Sequence, residues 1–187
     1  MKVLLVDNGT TLLRKLCELI PGAETVDLAE RFSVSEGNNY DLVILSGSSK
    51  EQLVGNESDF KNEIAFIKSS RRPIIGICFG CELIVSAFDG TLRELATPSK
   101  GIKEISIVRP GLFDGKTLVS VFENHRWAIS ALPEHFELLA KSADGPEIIR
   151  HKSLPIYGFQ FHPENFVDTT EGDWLFLSLF SRLTKNI

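Results

Sequence analysis

Pro73-Ile74-Ile75-Gly76-Ile77-Cys78-Phe79-Gly80-Cys81-Glu82 is an apolar run interrupted by two glycines, one on each side of a cysteine. Residues 73–77 read as a strand buried on both faces, and residues 79–88 as a helix that follows at once. A strand that turns sharply into a helix needs small residues around the turn, because larger side chains would collide. Such a turn lifts the Cys78 thiol above the sheet edge and sets it at a helix N-terminus, where the dipole favours a thiolate. The backbone N–H of Phe79 then points to where the oxyanion of a tetrahedral intermediate would form. Three readings of the segment stand side by side. Cys78 is a nucleophile, or a small buried hydrophobe, the commonest fate of a cysteine; or Cys78 and Cys81 form a C-x-x-C dithiol at a helix start. No second Cys/His pair with ligand spacing accompanies them, so no metal is expected.

Working outward, residues 2–6 are a second apolar strand, followed by the turn Asp7-Asn8-Gly9-Thr10. Leu12, Leu13, Leu16, Leu19 and Ile20 then fall at helical spacing until Pro21-Gly22 stops the helix. Residues 26–28 suggest a short strand. Residues 41–45 repeat the buried-strand pattern and end in Ser46-Gly47-Ser48-Ser49, and residues 58–69 place Phe60, Ile64 and Ile67 on one helical face. Strands alternating with helices imply a parallel sheet covered on both faces. The second half changes pattern: 102–108, 117–122, 136–142 and 147–151 alternate between Gly and Pro turns, as antiparallel additions to the same sheet would. Residues 156–161 are another apolar strand, and 174–183 a closing amphipathic helix. With no internal repeat and no linker, the expectation is one α/β domain over residues 1–187: three layers, with a central, mostly parallel sheet and antiparallel additions.

The chain has 187 residues, 43% of them apolar and 24% charged, which is ordinary globular composition. A net charge of −5 provides no broad basic face, so no nucleic-acid partner is expected. No apolar stretch approaches the roughly 18 residues of a membrane span, and the first residues lack a secretory pattern. The expected location is the cytoplasm, where three cysteines would stay reduced.

A thiol nucleophile needs a base, and the base needs an orienting acceptor. Gly158-Phe159-Gln160-Phe161-His162-Pro163-Glu164 supplies both at the end of an apolar strand: His162, then Glu164 two residues on, with Pro163 stiffening the turn. In an open α/β sheet, ligands bind beyond the carboxyl ends of the strands. The loops at 46–49, 76–81 and 161–165 all lie there.

These segments resemble the class I, triad-type glutamine amidotransferases. Gly76, Cys78 and Gly80 match the family's nucleophile turn, and Phe161, His162, Pro163 and Glu164 its base motif. The opening Val6-Asp7-Asn8-Gly9 and Leu45-Ser46-Gly47 also sit where the family has them. The similarity runs through essentially the whole chain and implies a flavodoxin-like fold with no cofactor. It further implies that Cys78 attacks the side-chain amide of L-glutamine to give a γ-glutamyl thioester. His162 would then move the proton, Glu164 orient the imidazole, and backbone N–H groups of Phe79, Gly47 and Ser48 bind the oxyanion. The ammonia would pass to a separate synthetase. Among the family's branches, the N-terminal segment and residues 157–164 look closest to the glutaminase subunits of GMP synthetases.

Two positions depart from the pattern. Glu82 stands where the family has Gln, as in γ-glutamyl hydrolases; it either faces the substrate or sits in solvent on the first helical turn. Ser48-Ser49 replaces a Gly-Pro pair, and Ser48 is less free than glycine to turn its peptide. Asn124-His125-Arg126-Trp127 lies where relatives place a loop whose backbone helps hold the glutamine α-carboxylate, which makes Asn124 and His125 weak substrate-binding candidates. Cys81 reads as a packing residue or as a partner for oxidised Cys78. His135 and His151 fall in surface segments without a role. Four functions follow in order: a glutaminase that serves a separately encoded synthetase, a γ-glutamyl peptide hydrolase acting alone, a non-catalytic binding module on the same fold, and dithiol exchange.

Overall fold

The computed structural model describes residues 1–27, 37–166 and 169–185. Strands β1 (Val3–Asp7), β2 (Glu24–Asp27), β3 (Leu42–Leu45), β4 (Ile74–Ile77) and β9 (Ile156–Phe159) pair in parallel in the order β2-β1-β3-β4-β9. This is the flavodoxin-like winding. The sheet continues antiparallel through β8 (Pro146–His151), β7 (Phe136–Lys141), β5 (Thr91–Ile107) and β6 (Leu118–Ala131). The strand expected at 26–28 is observed as β2, with Leu28 outside the described residues.

The parallel strands inside the edge strand β2 are buried on both faces, so their side chains divide alternately between two cores. Leu5, Ile44, Ile75, Ile77 and Phe159 pack with Leu16 of helix α1 (Leu13–Leu19) and Leu175, Phe176 and Leu179 of helix α4 (Gly172–Thr184). Leu4, Val6, Val43, Leu45 and Ile74 pack with Phe66 and Ile67 of helix α2 (Lys61–Ser69) and Leu83 and Ile84 of helix α3 (Phe79–Ala87). The three-layer α/β architecture expected from the alternating pattern is the one observed. No helix among the described residues is long and apolar enough to cross a membrane.

The largest departure from expectation is the β5–β6 pair. Short strands were expected at 102–108 and 117–122; the observed strands reach back to Thr91 and forward to Ala131. They pair with each other from Thr91↔Ala131 to Ser106↔Leu118, while only Ser106 and Ile107 pair with β7. Beyond those two residues the pair is a free two-stranded ribbon. Most of β5 is exposed, which erases the alternating pattern by which a half-buried strand is recognised. The ribbon bends over the carboxyl end of the sheet, where Phe122 O accepts a 2.8 Å hydrogen bond from His162 N and Ser120 O one from Glu171 N.

Candidate active site

The turn from β4 into α3 is built by steric necessity. A Cβ on Gly76 would stand 2.4 Å from Gly80 O, and one on Gly80 would stand 2.3 Å from Leu45 O. Both contacts are with backbone, so neither can yield cheaply. Cys78 between them has φ +49° and ψ −105°, a sparsely populated conformation for an L residue that costs of order 1–3 kcal/mol and persists only when its surroundings impose it. Cys78 N donates to Phe159 O (2.7 Å), and Gly80 N to Ser46 O (3.2 Å). Phe79 opens the helix, so its N–H is one of the first-turn donors that have no partner within the helix.

His162 leaves the end of β9 with its backbone held by Phe122, and its Nδ1 donates to Glu164 Oε1 at 2.9 Å. His162 is 5% exposed and Glu164 fully buried. The other ring nitrogen, Nε2, is buried without a well-formed hydrogen bond, yet it stands near enough to Cys78 for the two to shift each other's protonation. Burial raises the Cys78 thiol above its ordinary value; His162 opposes that, and the Glu82 and Glu164 carboxylates add to it. Burial would lower His162, but the adjacent Cys78 and Glu164 outweigh it and hold the imidazole well above its usual range.

Gly47 is wedged between Cys78 and His162. A Cβ there would stand 3.0 Å from His162 Cε1 and 3.5 Å from Cys78 Cβ. The loop carrying Gly47 and Ser48 is fastened at Ser46, whose Oγ accepts from Asn8 N (2.9 Å) and donates to Gly47 O (2.8 Å), while Asn8 Nδ2 donates to Ser46 O (3.0 Å). Bonding the Gly47 carbonyl fixes the plane of the Gly47–Ser48 peptide. Ser48 Oγ faces the other way, accepting from Lys50 N and Glu51 N.

Cys78, Phe79, Ser48, Glu82, Asn124 and His125 line one cleft of about 480 Å³, with His162, Glu164 and Gly47 buried behind it. A larger groove of about 830 Å³, with Asp41, Arg71 and Pro155 among its residues, lies at the amino ends of the strands and holds none of these groups.

Several expectations are corrected. Glu82 is 5% exposed, so the solvent-facing reading fails. It accepts a 3.3 Å hydrogen bond from Gln160 Nε2, and burial lifts its carboxyl to about 8 despite that bond and the nearby His162. At neutral pH it is largely an uncharged acid, close in shape and polarity to the glutamine it replaces. Asn124 and His125 lie within β6, not in a loop. Asn124 is exposed at the cleft, while the His125 ring is buried, its Nδ1 donating to Trp127 O (2.8 Å). Cys78 and Cys81 pack into the cores on opposite faces of the sheet. Cys81 Sγ fills the space a Cβ on Gly158 would take, 2.5 Å away, which identifies it as a packing residue. His151 is buried, its Nδ1 accepting Ser153 N and Leu154 N, so it braces a turn; His135 is exposed as expected.

Sequence reasoning missed one group altogether. Glu123 and His125 of β6 meet Glu147 of β8, all three buried, with one ligand-type atom from each lying within 4.8 Å of the others. No Cys/His spacing announces it, because the ribbon that brings the strands together was not legible.

The family model of the class-I glutamine amidotransferases matches residues 4–181. The glutamine-hydrolysing GMP synthase subunit of Thermoplasma acidophilum is 32% identical over 172 residues, covering 88% of this chain and 84% of the relative. That of Methanobrevibacter smithii is 31% identical over 171 residues, covering 90% and 83%. Among solved structures, one assigned to the same GMP synthase subunit in T. acidophilum superposes with a TM-score of 0.86 at 27% identity, over 100% of this chain and 95% of that one. A glutamine amidotransferase of Thermotoga maritima gives a TM-score of 0.72 at 18% identity, over 100% and 86%, a likeness of fold.

Proposed function

The chain belongs to the class-I glutamine amidotransferases, and on that premise we propose that it hydrolyses the side-chain amide of L-glutamine and supplies the ammonia to a separate synthetase subunit. The relatives' names make GMP synthetase the first acceptor system to test. The observation that carries the chemistry is the strained Cys78 at φ +49°, facing His162 across the Gly47 contact, with His162 held by Glu164 at 2.9 Å.

In this reading the Cys78 Sγ–H proton passes to His162 Nε2 as sulfur bonds to the amide carbon of glutamine. The resulting oxyanion is met by the N–H of Phe79 and by the Gly47–Ser48 peptide, where losing one donor costs about 10²–10³ in rate. As the C–N bond breaks, Nε2–H protonates the leaving nitrogen and ammonia departs. His162 then takes a proton from water, which attacks the thioester carbon, and Cys78 leaves as thiol with glutamate released. Glu164 keeps hydrogen on Nδ1, so that Nε2 always faces the reaction. Glu82, uncharged at neutral pH, adds no repulsion to the developing thiolate. Its carboxyl therefore supplies no separate motive for γ-glutamyl peptide hydrolysis, and glutamine is the preferred substrate.

The test is a glutamine analogue bearing a chloroketone, followed by peptide mass spectrometry. Expected is one adduct on Cys78, suppressed by excess L-glutamine and absent in Cys78→Ser. Folded, reduced protein that remains unlabelled even in the presence of a GMP-forming synthetase would overturn the reading.

A further inference from the structure

We propose that Glu123, His125 and Glu147 form a binding site for one divalent cation of the zinc class, which ties the β5–β6 ribbon to β8 beside the Cys78 cleft. These residues are 0%, 5% and 1% exposed, and Glu123 Oε1, Glu147 Oε2 and His125 Nε2 are all buried without a hydrogen-bond partner among the described residues. Buried polar atoms are nearly always satisfied, so three orphans in one place call for a missing partner.

The orphans are all of one kind. His125 Nδ1 meets the carbonyl of Trp127 at 2.8 Å. A carbonyl only accepts, so Nδ1 carries the hydrogen, and Nε2 is the ring atom left to present a lone pair to a cation. Ser99 Oγ donates to Glu123 Oε2, and Ser142 Oγ donates to Glu147 Oε1 at 2.7 Å. Each carboxylate thus has one oxygen held by a hydroxyl and one oxygen unpartnered. A backbone carbonyl on the far nitrogen of the imidazole and hydroxyls behind the carboxylates are the supports that metal ligands characteristically have.

Charge points the same way. No lysine or arginine among the described residues forms an ion pair with Glu123 or Glu147, Lys103 acting on Glu123 only at longer range, and two carboxylates buried side by side are costly. One divalent ion balances both. His125 Nε2 lies 3.5 Å from Glu123 Oε2, the oxygen that Ser99 holds, which is long for a hydrogen bond, and one ligand-type atom of each of the three residues lies within 4.8 Å of the others. An imidazole with two carboxylates suits zinc better than magnesium or calcium, which prefer oxygen alone.

The consequence is mechanical. β6 carries Asn124 and His125 into the cleft, and β8 belongs to the main sheet. An ion held by both would fix the cleft wall that the ribbon provides. The experiment uses the full chain with Cys78→Ala, so that the thiol and His162 cannot bind zinc as a pair. Chelator-stripped protein is titrated with Zn²⁺ against a chromophoric competitor, and melting is followed in parallel. Expected is one equivalent, with Tm raised by roughly 5–10 °C when free Zn²⁺ is a hundredfold above Kd. Adding Glu147→Gln, which keeps the volume and fold, should weaken binding at least tenfold and remove the Tm rise. Folded Cys78→Ala protein that binds no zinc would overturn the proposal. So would zinc binding that is equally tight in Cys78→Ala/Glu147→Gln.

Discussion

Replacing Glu82 with glutamine removes an ionisable group and changes little else, because the amide oxygen can still accept from Gln160 Nε2. In the unfolded chain this carboxyl titrates near its ordinary value of 4.5; in the fold burial lifts it to about 8. For an acid raised by folding, the native state holds the proton that the unfolded state gives up. Stability is therefore complete below pH 4.5, falls as pH rises toward 8, and is level above. The slope is about 1.4 kcal/mol per pH unit within that window. Between pH 5 and pH 7.5 the wild-type carboxyl should lose about 3 kcal/mol of stability that Glu82→Gln keeps. Urea unfolding of both proteins at the two pH values reads this as a gap in ΔG that opens toward pH 7.5. Chloroketone labelling of Cys78 should show the corresponding effect on reactivity: above pH 8 the ionised Glu82 raises the thiol further and slows wild type relative to Glu82→Gln. If the gap between the unfolding curves is the same at pH 5 and pH 7.5, Glu82 is ionised in the fold and the argument for an uncharged, glutamine-like residue fails.

Other substitutions probe the elbow and its neighbours. Gly80→Ala and Gly76→Ala each drive a methyl group into backbone, and each should cost about 3 kcal/mol or more, visible as a lower urea midpoint at unchanged slope. Ser46→Ala strands Asn8 N and releases Gly47 O; we expect a loss of about 1–3 kcal/mol by thermal melting, with kcat reduced more than KM in a glutaminase assay. Glu164→Gln can present an amide N–H to Nδ1 and favour the wrong tautomer, so kcat should fall by roughly 10²–10⁴ with KM little changed. Because Cys81 packs on the opposite face from Cys78, Cys81→Ala should recover from mild peroxide with a thiol reductant as fully as wild type does, measured by Cys78 labelling.

The parts of the site that could be read from sequence are those fixed by contacts a few residues apart. Gly76, Cys78 and Gly80 form one steric unit, because the second glycine's backbone occupies the space the first would need for a side chain. His162 and Glu164 meet across a single turn. The buried strands announce themselves by runs of four residues without a polar side chain. What the sequence withheld depends on partners far along the chain. Glu82 looks like a first-turn surface residue until Gln160, 78 positions on, is placed against it. The ribbon escaped notice for a different reason: β5 is exposed over most of its length, and the buried positions of β6 beyond Val121 begin with Glu123 and His125, so neither strand keeps an apolar period.

The ribbon bears directly on the chemistry. The loops at the strand ends supply Cys78, His162 and Glu164, but they do not close the cleft. Its remaining wall, Asn124 to Trp127, comes from the ribbon, and the ribbon also holds His162 through Phe122 O. One element thus positions His162 by a backbone bond and shapes the space before Cys78. A shift of β6 relative to the sheet would move both together, since neither contact belongs to a flexible side chain. The Glu123–His125–Glu147 cluster lies on that same stretch of β6. Whatever sets its spacing, ion or proton, is coupled through three or four residues of a single strand to the orientation of the imidazole. Changes in the ribbon distant from Cys78 should therefore affect catalysis through the placement of His162 and the cleft wall, rather than by contact with the thiol.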